Sequence, residues 1–231
     1  MGMPFGNQQF AYNVDIVMCI DVTGSMGPII EKVKETALTL PATFLAAMDD
    51  VGKHADAVRF KVIAFGDYAY DANPMAESEF FTADQASEFE AYVNNLVPNG
   101  GGDIPENALE ALALAFKSDW CKSGSKRRHV TLLFTDAPAL ALGERAACAN
   151  YTPGMPTTLA ELVDWYSGLA DQTVGLKLEQ KAKRLVLYAP HAEPWDDLGE
   201  IETVIHTPIN PADGGSEIDI TDVIELLVNS I

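Results

Sequence analysis

Two short and almost uninterrupted apolar runs constrain the fold of this chain more than any other feature of its sequence. They are Val14–Ile20 (VDIVMCI) and His129–Thr135 (HVTLLFT), and both have the length of a β-strand. Runs of this kind are typical of parallel strands in the middle of a sheet, because helices cover both faces of such strands. The sequence therefore predicts a parallel sheet with a layer of helices on each side.

Strand-length runs and helical patterns alternate along the rest of the chain. Three more candidate strands are Arg59–Phe65, Arg184–Ala189 and Ile201–His206. This βαβ rhythm predicts a doubly wound α/β fold with a mostly parallel, six-stranded sheet. The run Glu79–Thr82 (EFFT) follows a turn-rich loop that is too short for a crossover helix. We therefore expect it to form one short antiparallel strand at an edge of the sheet.

Helix start signals mark several of the segments between the strands. Thr82 with Gln85, and Thr158 with Glu161, have the spacing of a capping box. Pro41 lies inside the first helical pattern and should interrupt or kink that helix. The predicted helices begin near Pro28, after Thr82, at Pro105, after Thr158 and near Ile220.

Composition bounds the class of protein. The 231 residues are 48% hydrophobic, so we expect a single domain over residues 1–231, with an N-terminal extension at 1–12. The formal net charge of -19 argues against nucleic acid as a partner. A helix that spans a bilayer needs roughly 20 consecutive apolar residues, and the sequence contains no such run. The first residues also lack the features of a signal peptide. We therefore expect a cytoplasmic protein with no membrane partner.

Oxygen-bearing side chains follow both of the strongest candidate strands. Asp21 and Asp136 come at the carboxyl ends of those strands, where ligands bind in sheets of this type. Two carboxylates at the ends of neighbouring parallel strands would repel each other unless a cation lay between them. Oxygen donors suit Mg²⁺ or another hard divalent ion. Thr23 and Ser25 follow the first aspartate, and Asp103 follows three glycines that let the backbone come close.

The candidate metal ligands are therefore Asp21, Thr23, Ser25, Asp103 and Asp136. Taken one at a time, these residues have ordinary alternatives. Thr23 and Ser25 could cap the helix that follows them, and Asp136 could form a turn at the end of a strand.

Three motifs carry a resemblance to a known family. The sequences "DVTGS", "GGGDIPE" and "FTDAP" occur in this order, and together they resemble the von Willebrand factor A family with its metal ion-dependent adhesion site. The resemblance implies a Rossmann-like fold and a bound divalent ion, with Mg²⁺ favoured over Mn²⁺ and Ca²⁺. It also implies that Thr23 and Ser25 bind the ion directly, and that Asp21 and Asp136 act partly through water.

The same resemblance implies a function. Members of the family bind protein partners through the metal, and intracellular members often serve as adaptors or subunits beside ATPases, kinases or phosphatases. The residues of these motifs most resemble those of the branch found with alpha-kinases, in hemicentin-like proteins and near bacterial tellurite-resistance gene clusters. We therefore expect a metal-dependent protein–protein interaction module with a partner from one of these classes.

One residue departs from the pattern of that family. Most members have Thr after the glycines, whereas this chain has Asp103. A third carboxylate would make the site net negative, and it would repel an incoming acidic group. We therefore expect tighter retention of the metal and weaker binding of an acidic partner residue.

A different class of protein, a Mg²⁺-dependent phosphoaspartate hydrolase, would use Asp21 as its nucleophile. In such enzymes a second aspartate two residues later donates the proton, and in this chain that position holds Thr23. No phosphate-binding loop follows any strand, and no histidine is a convincing partner for Ser25. The sequence therefore favours a binding module without catalytic residues.

Loops at the same end of the sheet should surround the ion. They are residues 66–78, 137–157 and 190–200. Their large side chains are Tyr68, Tyr70, Tyr151, Met155 and Trp195. These side chains either form an exposed binding rim or fill small cores of the loops themselves. Asp67 either orients a ligand or a water molecule, or it forms a turn.

Overall fold

The computed structural model describes residues 11–102, 104–210, 212 and 217–230. The described residues form seven β-strands and six α-helices. In chain order the elements are β1 (Ala11–Asp21), α1 (Ile30–Asp50), β2 (His54–Phe65), β3 (Met75–Glu77), β4 (Phe81–Thr82), α2 (Ala86–Asn94), α3 (Ala108–Lys117), β5 (Lys126–Phe134), α4 (Leu159–Ser167), β6 (Lys183–Ala189), α5 (Trp195–Gly199), β7 (Val204–Pro208) and α6 (Ile220–Ser230).

The strands form one sheet in the order β3-β2-β1-β5-β6-β7, and β4 also pairs with β2. Strands β1, β2, β5, β6 and β7 are parallel to one another, whereas β3 and β4 are antiparallel to β2. The predicted doubly wound, mostly parallel α/β fold is confirmed.

The antiparallel edge differs from the single strand expected at Glu79–Thr82. Two short strands pair with β2 here, and the chain leaves the ladder between them. The hydroxyl of Ser78 accepts the amide hydrogen of Val62 at 2.9 Å, in the place where a backbone carbonyl would continue the ladder. Pairing resumes only where Phe81 lies opposite Phe60.

Several boundaries also differ from the sequence prediction. Strand β1 begins at Ala11, so residues 11 and 12 belong to the strand rather than to an extension. Helix α3 begins at Ala108 rather than Pro105, because the backbone of Glu106 is hydrogen-bonded to the segment after β5. Strand β7 begins at Val204 rather than Ile201, because the amide of Ile201 closes the turn at the end of α5.

Side chains that alternate along β1 supply both layers of the core. Ile16 and Met18 point to the face covered by α1, α2 and α6, whereas Val17 and Cys19 point to the face covered by α3, α4 and α5. All four are fully buried. Every residue of α3 from 108 to 116 is buried as well, so that helix lies against the middle of the sheet. Burial of each large apolar side chain contributes about 1.5–3 kcal/mol to this arrangement.

The helix signals in the sequence have mixed outcomes. The capping box of Thr82 and Gln85 is confirmed, and it opens a 3-10 turn that leads into α2. The hydroxyl of Thr158 accepts the amide hydrogen of Glu161 at 3.1 Å, as the second signature predicts. Pro41 does not end α1, which continues for nine residues beyond it. No helix in the described part of the chain is long and apolar enough to cross a bilayer.

Candidate metal centre

The sheet brings two of the predicted aspartates to the same edge. Asp21 is the last residue of β1, and Asp136 lies two residues beyond the end of β5. Strands β1 and β5 are adjacent and parallel, with Ile20 opposite Phe134. The two carboxylates therefore lie at the carboxyl ends of neighbouring central strands.

Two hydroxyl groups connect these carboxylates. The hydroxyl of Thr23 donates to Asp21 Oδ1 at 2.7 Å and lies 3.1 Å from the hydroxyl of Ser25. The hydroxyl of Ser25 donates to Asp136 Oδ1 at 3.0 Å. We call these four side chains the oxygen row. It unites four of the five residues that the sequence selects, while Asp103 lies outside the described residues and its role as a ligand stays a prediction.

Local backbone structure explains why the two hydroxyls point the same way. The carboxylate of Asp21 accepts the backbone amide of Thr23 at 2.9 Å, which folds the chain back on itself after β1. A short 3-10 turn, Gly24–Met26, then places Ser25 beside Thr23. Neither hydroxyl caps a helix, because Thr23 makes no side-chain cap and the N-cap position of α1 is held by Ile29. The capping alternative is therefore wrong for Thr23.

The glycine-rich loop reaches the same place. The amide of Asn99 donates to the carbonyl of Val22 at 2.8 Å, and the amide of Gly24 donates to the carbonyl of Gly100 at 3.3 Å. At Gly101 the backbone is left-handed, with φ at 66°, and a Cβ atom would lie 3.1 Å from the Cβ of Thr23. Glycine is therefore required at position 101 both by the backbone angle and by the close approach to the oxygen row.

Thr135 is a residue of the candidate site that sequence reasoning missed. Its hydroxyl donates to Asp21 Oδ2 at 2.7 Å and accepts the amide hydrogen of Ala137 at 3.2 Å. Both oxygens of Asp21 are thus held by hydroxyl groups, one from the segment that follows β1 and one from the segment that follows β5. The signal was present, since Thr135 directly precedes Asp136 in the "FTDAP" motif.

Asp71 is a second residue that sequence reasoning missed. Its carboxylate accepts the amide of Asp67 at 2.8 Å and the amide of Gly101 at 3.3 Å, so it joins the loop after β2 to the glycine-rich loop. No periodic pattern or motif marks this residue in the sequence. Its role follows from a contact between segments thirty residues apart.

Burial sets the electrostatics of the oxygen row. The side chain of Asp21 is fully buried, and burial raises the pKa of its carboxyl group to about 6, against the opposing effect of hydrogen bonds from Thr23 and Thr135. Burial also raises the pKa of Asp136, although the hydrogen bond from Ser25 opposes that shift. No Lys or Arg among the described residues forms an ion pair with either aspartate. When these two carboxylates are ionised, no basic side chain among the described residues neutralises their charge. A bound cation would do so.

The oxygen row fits a hard divalent ion in both spacing and chemistry. Its consecutive oxygens lie 2.7, 3.1 and 3.0 Å apart. Neighbouring ligands of an octahedral ion with metal–oxygen bonds of about 2.1 Å lie about 3 Å apart. The described residues contain no group of three or more His, Cys, Asp or Glu that could hold a metal. In this part of the chain, hydroxyl groups would therefore have to complete the donor set of the two carboxylates.

The surrounding loops are packed more closely than an exposed rim would require. Tyr68 and Trp195 are buried, and the indole of Trp195 donates to the carbonyl of Ala137 at 2.9 Å. The rim hypothesis is therefore wrong for these two residues: Trp195 belongs to the main core on the side of α3, and Tyr68 packs against Tyr151 within the loops. Tyr70 remains exposed, with 57% of its surface accessible. Asp67 forms a turn by accepting the amide of Ala69.

A buried carboxylate anchors the long loop after β5. Glu110 of α3 accepts hydrogen bonds from the phenol of Tyr151 at 3.1 Å, from the amide of Gly143 and from the side chain of Asn107. Its own side chain is inaccessible, and burial raises its pKa. Asn107 in turn accepts the amide of Tyr68 at 3.1 Å. This network ties two of the three loops around the oxygen row to α3.

Comparisons with known proteins agree with this architecture. The chain is 26% identical over 149 residues to "Alpha-protein kinase vwkA" from Dictyostelium discoideum, which covers 62% of this chain and 21% of that protein. The chain thus spans about a fifth of that relative's length. The pilus adhesin SpaC from Lactobacillus rhamnosus GG matches 93% of this chain and 30% of its own, with a TM-score of 0.56 and 11% identity. At that identity the likeness concerns the fold alone.

A model of the von Willebrand factor A domain family matches residues 15–152. This range is more than half of the chain, and it contains all four residues of the oxygen row and the glycine-rich loop. The chain therefore belongs to the von Willebrand factor A domain family.

Proposed function

We propose that this chain is a metal-dependent protein–protein interaction module, which binds a divalent ion at the oxygen row and uses it to engage a partner protein. Domains of this family are generally protein-interaction modules. The observation that carries the metal-dependent part is the oxygen row itself. Four side chains from two separate segments place their oxygens within 3.1 Å of the next at the carboxyl ends of β1 and β5.

Each residue of the row has a distinct part in the proposal. Thr23 and Ser25 present hydroxyl oxygens between the two carboxylates, and Asp21 and Asp136 supply the negative charge. A bound divalent ion would accept an oxygen ligand from the partner, and a third carboxylate at Asp103 would favour a neutral oxygen over an acidic group. Mg²⁺ is the ion we propose, with Mn²⁺ and Ca²⁺ as alternatives. Asp103 is proposed as a further ligand from its place in the sequence.

Catalysis is less well supported by the same contacts. In the hydrolase alternative, Asp21 would attack phosphate, but this carboxylate is fully buried and both of its oxygens accept hydrogen bonds. The position of the general acid holds Thr23, whose hydroxyl cannot take that role at neutral pH. The proposal is therefore a binding function without catalytic residues.

The sequence resemblance and one relative support a proposed class of partner. An ATPase, a kinase or a phosphatase is the proposed class of partner, and the match to an alpha-kinase-named protein supports the alpha-kinase branch of the family. We propose that the chain serves as an adaptor or as a subunit of a larger complex in the cytoplasm, where the free thiols of Cys19, Cys121 and Cys148 would stay reduced.

The test is an affinity capture that compares one matched pair of variants. Tagged chain is incubated with lysate of the source organism in Mg²⁺ or in chelator, and the captured proteins are quantified by mass spectrometry. Ser25→Ala removes a hydroxyl of the oxygen row, whereas Ser87→Ala removes an exposed hydroxyl on α2 that lies outside it. Titration calorimetry with Mg²⁺ and Mn²⁺ measures ion binding to the same two variants.

We expect the wild type and Ser87→Ala to capture the same partner in Mg²⁺. Addition of chelator, or the Ser25→Ala substitution, should abolish that capture. We also expect Ser25→Ala to weaken ion binding by about tenfold or more. Partners that persist in chelator would contradict the metal-dependent function. Ion binding that is equal in the two variants would remove the oxygen row as its site.

A further inference from the structure

An apolar groove lies between α1 and α2, on one face of the sheet. Its volume is about 440 Å³. This is roughly three times the ~150 Å³ cavity that admits a benzene molecule. Phe60 and Phe89 form its buried aromatic lining, and Phe81 is half-buried at its side. The groove therefore has room for two or three large apolar side chains.

Helix α1 carries two apolar stripes, one buried in the core and one whose Leu38 and Leu45 are only partly buried against it. The first stripe is buried against the sheet and comprises Val33, Ala37, Leu40, Phe44 and Met48. The second stripe lines the groove and comprises Leu38, Pro41, Ala42 and Leu45. It has the i, i+3, i+4, i+7 spacing with which a helix meets another packed segment. Pro41 has no N–H group, so it adds no polar donor to this wall.

Small residues keep the groove open. Its opposite wall includes Ala83, in the 3-10 turn before α2, and Ala86, the first residue of α2; both are exposed, as is Ala42 on α1. Larger side chains at these three positions would fill the space from within. An accessible apolar hollow of this kind is the usual mark of a surface that binds another molecule.

The charges around the groove select the chemistry of its occupant. Glu90 lines it, and Asp84 is exposed beside Ala83. Asp49 is exposed one turn beyond Leu45 on the same side of α1, and the last turn of that helix has no basic residue. The carboxyl end of a helix adds partial negative charge of its own.

Basic side chains do not offset these charges. None of the lining residues in the described part of the chain is Lys or Arg. Lys34, one turn before Leu38, is held by Glu31 at 3.3 Å and by the carbonyl of Asn94 at 3.4 Å. The groove is thus apolar inside and acidic at its rim, which disfavours acidic peptides and anionic lipids.

We propose that this groove binds a cationic amphipathic helix of a partner protein. Two or three apolar side chains of that helix enter the groove, and its Lys or Arg residues face Glu90, Asp84 and Asp49. The groove is separate from the oxygen row, because Phe60 lies opposite Ile16, five residues or about 16 Å along β1 from Asp21. Binding in the groove therefore requires no divalent ion, and it stands or falls independently of the metal-dependent function.

The experiment uses a defined probe in place of the unknown partner. The probe is a fluorescein-labelled peptide of about 18 residues, five helical turns, built only from Leu and Lys so that Leu forms one face. A matched peptide has Glu in place of every Lys. Fluorescence anisotropy measures binding to the full chain in the presence of chelator. The Leu/Lys peptide should bind, and the Leu/Glu peptide should bind at least about tenfold more weakly.

A matched pair of variants places the binding in the groove. Ala86→Lys puts bulk and positive charge into the groove, whereas Ala91→Lys adds the same side chain to an exposed position of α2 outside it. Ala86→Lys should weaken binding of the Leu/Lys peptide by about tenfold, and Ala91→Lys should change it by less than about twofold. Equal losses in both variants would overturn the proposal, because net charge alone would then attract the peptide.

Two further measurements hold even if Ala86→Lys fails to fold. Glu90→Gln should weaken binding by a few-fold, whereas Glu88→Gln, on the same helix outside the groove, should leave it unchanged. In wild-type protein with labelled alanine methyl groups, the peptide should shift Ala42 and Ala86 but not Ala91. Chemical shift changes confined to other methyl groups would overturn the proposal. So would sedimentation data that show a wild-type dimer which Ala86→Lys dissociates and Ala91→Lys does not, because the groove would then bind a second copy of the chain.

Discussion

Thr135→Val is the substitution that most sharply separates our account from a purely structural role for the strand ends. Thr135 is fully buried, and its hydroxyl donates to Asp21 Oδ2 at 2.7 Å. Valine has the same shape but leaves that carboxylate oxygen without its donor. Loss of a buried hydrogen bond to a charged group costs about 1.5–3 kcal/mol of stability. Thr131→Val is the matched control, because Thr131 is also buried but lies within β5, four residues or about 13 Å before Thr135.

The cost of Thr135→Val should depend on pH. The hydrogen bond from Thr135 lowers the pKa of Asp21, which burial has raised from 3.8 to about 6, so the variant should have a still higher pKa. A carboxyl group whose pKa is raised in the folded state stabilises the protein fully at pH values below its unfolded-state pKa. That stabilisation is lost as the pH rises through the folded-state pKa. The destabilisation relative to wild type should therefore be small near pH 5 and reach its full size near pH 8.

The assay is urea unfolding of both variants in chelator at the two pH values, followed by calorimetric titration with Mg²⁺ or Mn²⁺. Because Thr135 orients Asp21, we expect metal affinity to fall by about 10–100-fold in Thr135→Val and to be unchanged in Thr131→Val. Stability and metal affinity that are the same in the two variants would refute the reasoning, since the hydroxyl would then neither hold nor orient the carboxylate.

Three other predictions concern the loops. Gly101→Ala should reduce stability more than Gly52→Ala does, and it should also weaken metal binding. Both glycines have left-handed φ values, but only a Cβ atom at position 101 meets Thr23. Equal urea midpoints for the two variants would contradict this prediction. Glu110→Gln should gain stability relative to wild type as pH rises above the ordinary carboxyl range, because burial raises the pKa of Glu110 and makes its ionisation in the folded state costly. A difference in urea unfolding that does not change with pH would count against this prediction. Asp103→Thr should weaken metal binding in calorimetry, and unchanged or tighter binding would rule out direct ligation by Asp103.

The central strands could be predicted because their burial shows directly in the type of residue at successive positions. A strand covered by helices on both faces is mostly apolar instead of alternating, so Val14–Ile20 and His129–Thr135 stand out from a solvent-exposed segment. The ends of those strands then indicate where side chains such as Asp21 and Asp136 must meet. The edge of the sheet was less predictable, because a single hydroxyl, that of Ser78, decides where the ladder breaks.

The surroundings of the site depend on contacts that no local pattern encodes. Trp195 is the type of residue that often anchors a partner, yet its indole is buried and donates to the carbonyl of Ala137, 58 residues away. Asp71 joins two loops through backbone amides, one of them that of Gly101. Loops without periodicity are placed by such long-range contacts, so their exposed and buried side chains cannot be told apart from sequence alone.

A crystal structure of the chain grown with Mn²⁺, with data collected at the manganese absorption edge, tests the central claim most directly. Our account predicts one anomalous peak at the carboxyl ends of β1 and β5, within about 2.2 Å of the hydroxyl oxygens of Thr23 and Ser25. A crystal soaked in excess Mn²⁺ with no peak among Asp21, Thr23, Ser25 and Asp136, or with its only strong peak elsewhere, would contradict it.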